Sequence, residues 1–395
     1  MSDDDPDLFR LLGGAEGCMR LAALFYAEVE RDPDLRPLFG KKFLEPTRHL
    51  ADYLSQVAGG PPEHSRNRWH LSLREAHRRF PIGPAERDAW LAAMARAIDR
   101  AGVQEPARGA LRAFFERAAP TMENRGAGRV AGELLPEPPP SSFHRHLAAR
   151  WREALAVEDV VAAVRRGDAG RALALVDGPE LRVLFDRDRS ALASLLVLLI
   201  GSGDRALRDH AMRRLRDDPA LVRATYFGGR TPLHGAVAAG FLPAVELLLD
   251  LGAAMDAADG SGRTPLFVAA NECRGRAGSA VARTLLQRGA DPDARDRVKR
   301  ATPLHAAARR GSVAVAATLL DAGADLEARD VGGDTPLRRA VNCGQVEMVT
   351  FLRARGADAG SHGARGLTPL QAARTSAMRQ ALAWDVSDPP RPGPA

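Results

Sequence analysis

Thr231-Pro232-Leu233-His234 returns along this 395-residue chain as Thr264-Pro265-Leu266-Phe267, Thr302-Pro303-Leu304-His305, Thr335-Pro336-Leu337-Arg338 and Thr368-Pro369-Leu370-Gln371. The interval is 33 residues throughout, except for 38 between Thr264 and Thr302. A sustained period of this length marks a stack of helical repeats. Each tetrad reads as a helix start. Thr is an N-cap whose hydroxyl accepts from a first-turn amide, and Pro at the first helical position loses no hydrogen bond. Leu then opens a buried stripe, as in Leu233, Ala236 and Val237. A second helix with Leu247-Leu248-Leu249 ends at Gly252, and the same ending returns at Gly289-Ala290-Asp291, Gly323-Ala324-Asp325 and Gly356-Ala357-Asp358. Glycine suits this place because it accepts the left-handed conformation that closes helices.

The second repeat carries 25 residues from Thr264 to Gly289, where its siblings carry 21. The surplus falls around Asn271–Gly278, and a protruding loop over 273–278 is expected there, either a partner contact or a tolerated insertion. Upstream, Val160–Val164, Arg166-Gly167-Asp168 and Leu173–Val176 read as a degenerate unit of the same kind. The stack is therefore expected to begin near residue 155.

Composition narrows the rest. The apolar fraction of 45% is that of a globular protein, and the strongest candidate for a span, Leu192–Ile200, is too short to cross a bilayer. The acidic start Met1-Ser2-Asp3-Asp4-Asp5 does not read as a secretory signal. Cys18, Cys273 and Cys343 lie far apart and suit reduced thiols of the cytoplasm. The net charge of +6 raises nucleic-acid binding, but all except Lys41, Lys42 and Lys299 of the 56 cations are arginines interspersed with acids, and only 3 tyrosines are present. No nucleic-acid partner and no membrane association are expected.

The N-terminal part reads as helices separated by breaks at Gly13-Gly14, Gly59-Gly60-Pro61-Pro62 and Pro81-Ile82-Gly83-Pro84. Leu21, Leu24, Phe25 and Val29 recur at helical spacing, and no strand-like alternation appears. Pro136-Glu137-Pro138-Pro139-Pro140 makes a semi-rigid spacer. The expected organisation is a first domain over 1–125, a Pro-rich linker over 126–142, a helical region with degenerate repeats over 143–224, clear repeats over 225–384 and a disordered tail over 385–395. A helix is expected over Phe143–Ala154, at the cap of the stack, with His144 and His146 in solvent.

The tetrads with their Gly-Ala-Asp closures resemble the ankyrin repeat family. That resemblance implies an α-solenoid whose concave face and finger loops bind an unidentified protein. It also makes His234 and His305 structural, each bonding the backbone of a neighbouring loop. Gly13-Gly14, Phe25-Tyr26, Gly59-Gly60-Pro61, and His77 followed by Phe80-Pro81-Ile82-Gly83-Pro84 and Glu86-Arg87-Asp88-Ala89-Trp90 resemble the truncated haemoglobins of the second group. The resemblance covers about 120 residues and implies an all-α two-over-two helical sandwich around haem b. Taken singly, His77 would be an ordinary surface or core histidine, and Tyr26 and Trp90 ordinary core aromatics. Their order and spacing carry the assignment.

The resemblance makes His77 the proximal ligand of the haem iron, since haem iron takes an axial imidazole. Arg68, Arg74, Arg78 and Arg79 are near it in sequence and available for the propionates. Dioxygen bound on the other face carries partial negative charge, and the resemblance gives Tyr26 and Trp90 the donor role there. Phe39 matches its haem-packing aromatic, and Leu50 its apolar distal position one turn above the haem. Pro46 stands one turn before Leu50, where many globins have histidine, and His49 is open to a haem-edge, ligand or solvent role. Three functions follow as expectations: a dioxygen-binding globin, extending to NO or CO, that acts as a gas or redox sensor through the ankyrin module; an NO dioxygenase- or peroxidase-like globin localised by the repeats; or a scaffold with a vestigial globin.

Overall fold

The computed structural model describes residues 8–39, 43–61, 80–123, 142–273, 275–363 and 366–383. Every regular element among them is helical. The chain divides into two compact units, Met1–Ser194 and Leu195–Ala395.

In the first unit, α1 (Leu8–Leu11), α2 (Gly14–Arg31), α3 (Leu44–Val57), α4 (Pro84–Arg100) and α5 (Ala107–Ala118) follow one another. Helix α2 packs on both α3 and α4, and α4 packs on α5. Gly13 and Gly14 turn the chain into α2 at φ 85° and 65°, angles that side chains disfavour. Gly17 is needed for a different reason: a Cβ there would fall 1.6 Å from the Leu12 carbonyl oxygen. The expected apolar spacing of α2 buries Leu21, Phe25 and Val29 completely, while Leu24 is half-buried against the same core. On the outside, Glu28 of α2 accepts from Arg96 and Arg100 of α4, both at 2.6 Å, and these guanidinium groups hold its carboxyl below the usual range.

The helix expected over 143–154 is longer and lies elsewhere. Helix α6 (Ser142–Arg166) runs unbroken, and its first half buries Leu147 and Trp151 in the core formed by α2–α5. His146, expected in solvent, is half-buried with Nε2 3.2 Å from the Val57 carbonyl oxygen at the end of α3. Helices α7 (Ala169–Val176) and α8 (Pro179–Arg187) pack against α6. Glu153 of α6 is buried, receives two bonds from Arg187 of α8 at 3.1 and 2.7 Å, and pairs with Arg150. Of the linker expected over 126–142, residues 126–141 lie outside the described residues, as does the tail over 385–395, and Ser142 already begins α6.

The second unit contains the repeats. Their first helices span Pro232–Ala238, Pro265–Glu272, Pro303–Arg310, Pro336–Asn342 and Pro369–Ala372. Each starts at the proline of a tetrad with Thr at the N-cap. The second helices are Leu242–Asp250, Gly275–Gln287, Val313–Asp321 and Val346–Ala354. The extra residues of the second repeat therefore do not form the protruding loop expected at 273–278. They lengthen a helix to 13 residues where its siblings have 9. Gly278 permits this, because it is buried and a Cβ there would meet Val315 at 3.3 Å, tighter than ordinary contact.

Candidate functional site

An apolar cleft opens in the first unit between the 3-10 turn Arg36–Leu38, the segment before α4, α4 itself and the 3-10 turn Ala119–Met122. It is narrow and lined by Leu35, Leu38, Phe39, Phe80, Ile82, Glu86, Arg87, Trp90 and Met122. Its two charged residues are already committed. Glu86 accepts the Gly83 N–H at 2.8 Å, which starts α4 in place of a side-chain cap. Arg87 is bonded to Asp88 and to Glu123. What remains is a hydrocarbon and aromatic wall.

Phe39 and Trp90 thus share this cleft. Tyr26 reaches it through ring contacts: its ring lies edge-on to Phe39 at 5.6 Å and tilted on Phe43 at 5.7 Å, and Phe39 in turn lies 5.5 Å from Phe80. Phe25 joins the two expected donors, with its ring 5.1 Å from that of Tyr26 and 5.4 Å from that of Trp90. Arg36 fixes the corner by donating to the Phe39 carbonyl oxygen at 3.0 Å while its guanidinium lies over Phe43 at 5.0 Å. Leu50 is half-buried against the same core on α3 and is not part of the cleft lining. Pro46 sits in the first turn of α3, where no backbone N–H is required, and His49 is half-buried. His77 and Arg68, Arg74, Arg78 and Arg79 lie outside the described residues.

Sequence reasoning gave no role to Phe43, Leu35, Ile82 and Met122. Each is an ordinary apolar residue on its own, and the convergence of four distant segments is a tertiary fact.

The repeat half has a site of another kind. His234 Nδ1 accepts from the Thr231 N–H at 3.2 Å, which leaves Nε2 to donate to the Arg263 carbonyl oxygen at 3.0 Å. His305 repeats this with Thr302 and the Asp334 carbonyl oxygen, at 3.2 and 2.9 Å. Arg338, the residue of the next tetrad at this place, donates to the Leu367 carbonyl oxygen. Histidine and arginine perform one task, each bonding a carbonyl 29 residues ahead. Burial pushes the pKa of both histidines down.

Between repeats, hairpin fingers are organised by aspartates that the sequence reading passed over. Asp259 Oδ1 accepts from Ser261 and Arg263 N–H at 2.8 and 2.9 Å, and Asp330 Oδ1 accepts from Gly332 and Asp334 N–H at 2.8 and 3.1 Å. Asp296 does the same for Lys299 and Ala301.

These two architectures define a globin-class unit and an ankyrin stack. The family model of bacterial-like globins matches residues 7–124, and that of ankyrin repeats, three copies, matches residues 193–296 and 276–363. The chain is 35% identical over 112 residues to the group 2 truncated haemoglobin YjbI of Bacillus subtilis (strain 168), covering 28% of this chain and 85% of that protein. It is 30% identical over 122 residues to the group 2 truncated haemoglobin 3-1 of Lotus japonicus, covering 29% and 71% respectively. Among solved structures, the ankyrin repeat domain of Bcl-3, described as a unique member of the IkappaB protein family, aligns with a TM-score of 0.43 at 27% identity, covering 57% of this chain and 97% of that one. The chain belongs to the truncated haemoglobin family through its N-terminal part and continues into ankyrin repeats. Membership implies haem and oxygen binding by the first part and protein interaction by the second. Among the described residues, no helix is long and apolar enough to cross a membrane.

Proposed function

We propose that residues 1–125 hold haem b with His77 as the proximal iron ligand and bind dioxygen reversibly, and NO and CO as well. The ankyrin repeats, taken as 225–384, then present this state to a protein partner in the cytoplasm, as a gas or redox sensor. The division into a linker at 126–142 and a degenerate helical region at 143–224 is part of the proposal, with Leu147 and Trp151 completing the globin core.

The observation that supports this reading is the cleft. Leu38, Phe39, Phe80, Ile82 and Met122 offer an apolar wall to a flat macrocycle, with Glu86 held by the Gly83 N–H and Arg87 paired with Glu123. Bound haem supplies an iron that takes up diatomic gases reversibly. The chain does the rest. His77 would hold the iron by one ring nitrogen, Phe39 would pack against the macrocycle, and Leu50 on α3 would supply the apolar distal position. The apolar wall keeps water out. Tyr26 and Trp90 would offer O–H and N–H donors to the gas, and both rings pack edge-on against Phe25.

The test is dioxygen dissociation from the ferrous protein. Tyr26→Phe or Trp90→Phe removes one hydrogen bond, worth about 1.4 kcal/mol, and should speed release about tenfold. Unchanged rates in both variants refute their donor role. Hydrogen exchange across residues 225–384 that is identical in the deoxy and CO forms counts against the sensor reading.

A further inference from the structure

Three apolar side chains stand in solvent at one register of the repeats. Phe227, Val298 and Val331 each precede the threonine of a tetrad by four residues and are 44%, 67% and 70% exposed. Loop valines with that much exposure contribute little to the fold, and a recurring register is not random scatter. Backbone bonds join the fingers in a row, and the second, which lies between those of Phe227 and Val298, has Gly260 at this register; the Gly260 N–H donates to the Gly228 carbonyl oxygen at 2.5 Å. The Arg297 N–H donates to the Ser261 carbonyl oxygen at 2.8 Å, and the Val331 N–H donates to the Lys299 carbonyl oxygen at 2.7 Å. The tips therefore line up along one edge of the stack.

Charge distinguishes the third finger from its siblings. Arg297, Lys299 and Arg300 are all exposed around Val298. The acid among them, Asp296, turns its Oδ1 inward to the Lys299 and Ala301 N–H groups at 2.8 and 3.1 Å. Asp296 is half-buried, and Asp259 and Asp330 of the neighbouring fingers are buried. The tip is therefore cationic around an apolar centre. Its backbone is unusual too. Two residues before each tetrad threonine the chain is left-handed, with glycine at 229, 262, 333 and 366, at φ 66–78°. The third finger has Arg300 there, at φ 53°. A side chain at such an angle is a local strain, and the finger carries it together with a cation.

We propose that this edge, centred on Arg297–Arg300, docks an acidic protein segment that carries apolar side chains. The proposal rests on reading the repeats as a protein-binding module and names the chemistry of the partner. Carboxylates complement Arg297, Lys299 and Arg300, and apolar side chains cover Val298, Val331 and Phe227. A nucleic acid would answer the cations and leave the valines in water.

Fluorescence anisotropy on the full chain tests this, with three labelled probes: a peptide alternating glutamate and leucine, a peptide alternating lysine and leucine, and an oligothymidylate. The glutamate–leucine peptide should bind. Arg297→Glu with Lys299→Glu should weaken it at least about tenfold, since like charges then face each other. Val298→Ser with Val331→Ser should weaken it as well, and Arg213→Glu with Arg216→Glu, on the exposed side of helix Arg205–Asp217, should not. All four finger residues are exposed, so an unchanged melting temperature verifies that the variants fold. Binding that ignores the finger reversals, or no binding of the glutamate–leucine peptide, overturns the proposal. Preference for the lysine–leucine peptide, lost in the valine variant, overturns the acidic partner and keeps the protein-binding reading. Tighter binding of the oligothymidylate, lost in the arginine–lysine variant, overturns both.

Discussion

The Trp151 ring stands edge-on to Phe114, with centroids 5.7 Å apart and planes at 86°. Trp151 comes after the proline-rich stretch, whereas Phe114 belongs to α5, so the helix beyond the spacer supplies part of the globin core. The contact continues through Phe115 to Trp90, in steps of 5.1 and 5.5 Å, and so to the wall of the cleft. Trp151→Ala should therefore destabilise the first unit by about 3–5 kcal/mol, the usual cost of deleting a large buried aromatic. Urea unfolding followed by near-ultraviolet circular dichroism measures it. A loss below about 1 kcal/mol would mean that α6 only rests on the globin.

The repeats should weaken in mild acid. Burial lowers the pKa of His234 and His305 in the folded state, while in the unfolded chain they titrate near 6.5. Above that pH both states hold neutral imidazole and the stability is complete. Below it the unfolded chain takes up protons that the folded chain refuses, so stability falls as pH drops from 6.5 toward the lowered value. Denaturant midpoints at pH 7.5 and 5.5 check this. His305→Gln should flatten the slope, since Gln371 already fills this place in the last tetrad and accepts the Thr368 N–H at 2.9 Å.

Arg300→Gly should raise the stability of the second unit by about 1 kcal/mol, because glycine adopts φ 53° without strain. Gly262→Ala should do the opposite. Its φ is 78°, and a Cβ there would lie 2.7 Å from the Arg297 backbone nitrogen. Thermal melts of the pair, set beside wild type, read both. A destabilised Arg300→Gly would show that the arginine side chain holds the finger.

Gly17→Ala probes the entry to the globin. The added methyl has no space beside the Leu12 carbonyl, so α1 must shift, at a cost of about 1–3 kcal/mol. Chemical denaturation gives the number, and a neutral substitution would contradict the close approach of α1 to α2.

The sequence was most legible where chemistry is local. Thr-Pro-Leu sets an N-cap, a fixed φ and a buried side chain within three residues, so the first helix of every repeat begins where expected. Gly13, Gly14 and Gly59 likewise mark real turns, at φ 85°, 65° and 99°. The errors concern distance. Nothing near His146 or Trp151 in sequence announces Val57 or Phe114. The extra residues near Gly275 looked like a loop because glycines usually break helices, yet here a buried Gly278 lets the helix continue against Val315. Asp259, Asp296 and Asp330 carry no signal in the sequence, because their amide partners come within reach only once the hairpin has closed. Of the proposed haem residues, the ring contacts gather Tyr26, Phe39 and Trp90, Leu50 stands off on α3, and His77 is argued from resemblance alone.

The central claim is that one imidazole, His77, fixes an iron porphyrin in the cleft walled by Phe39 and Trp90. Titrating the apoprotein with haemin while recording the absorption spectrum, beside His77→Ala, tests it most directly. Wild type should show a sharp Soret band saturating at one equivalent and a ferrous spectrum of histidine ligation, and the variant should lose that signature. A chain that takes up no haemin, or a variant whose ferrous spectrum matches wild type, would contradict it.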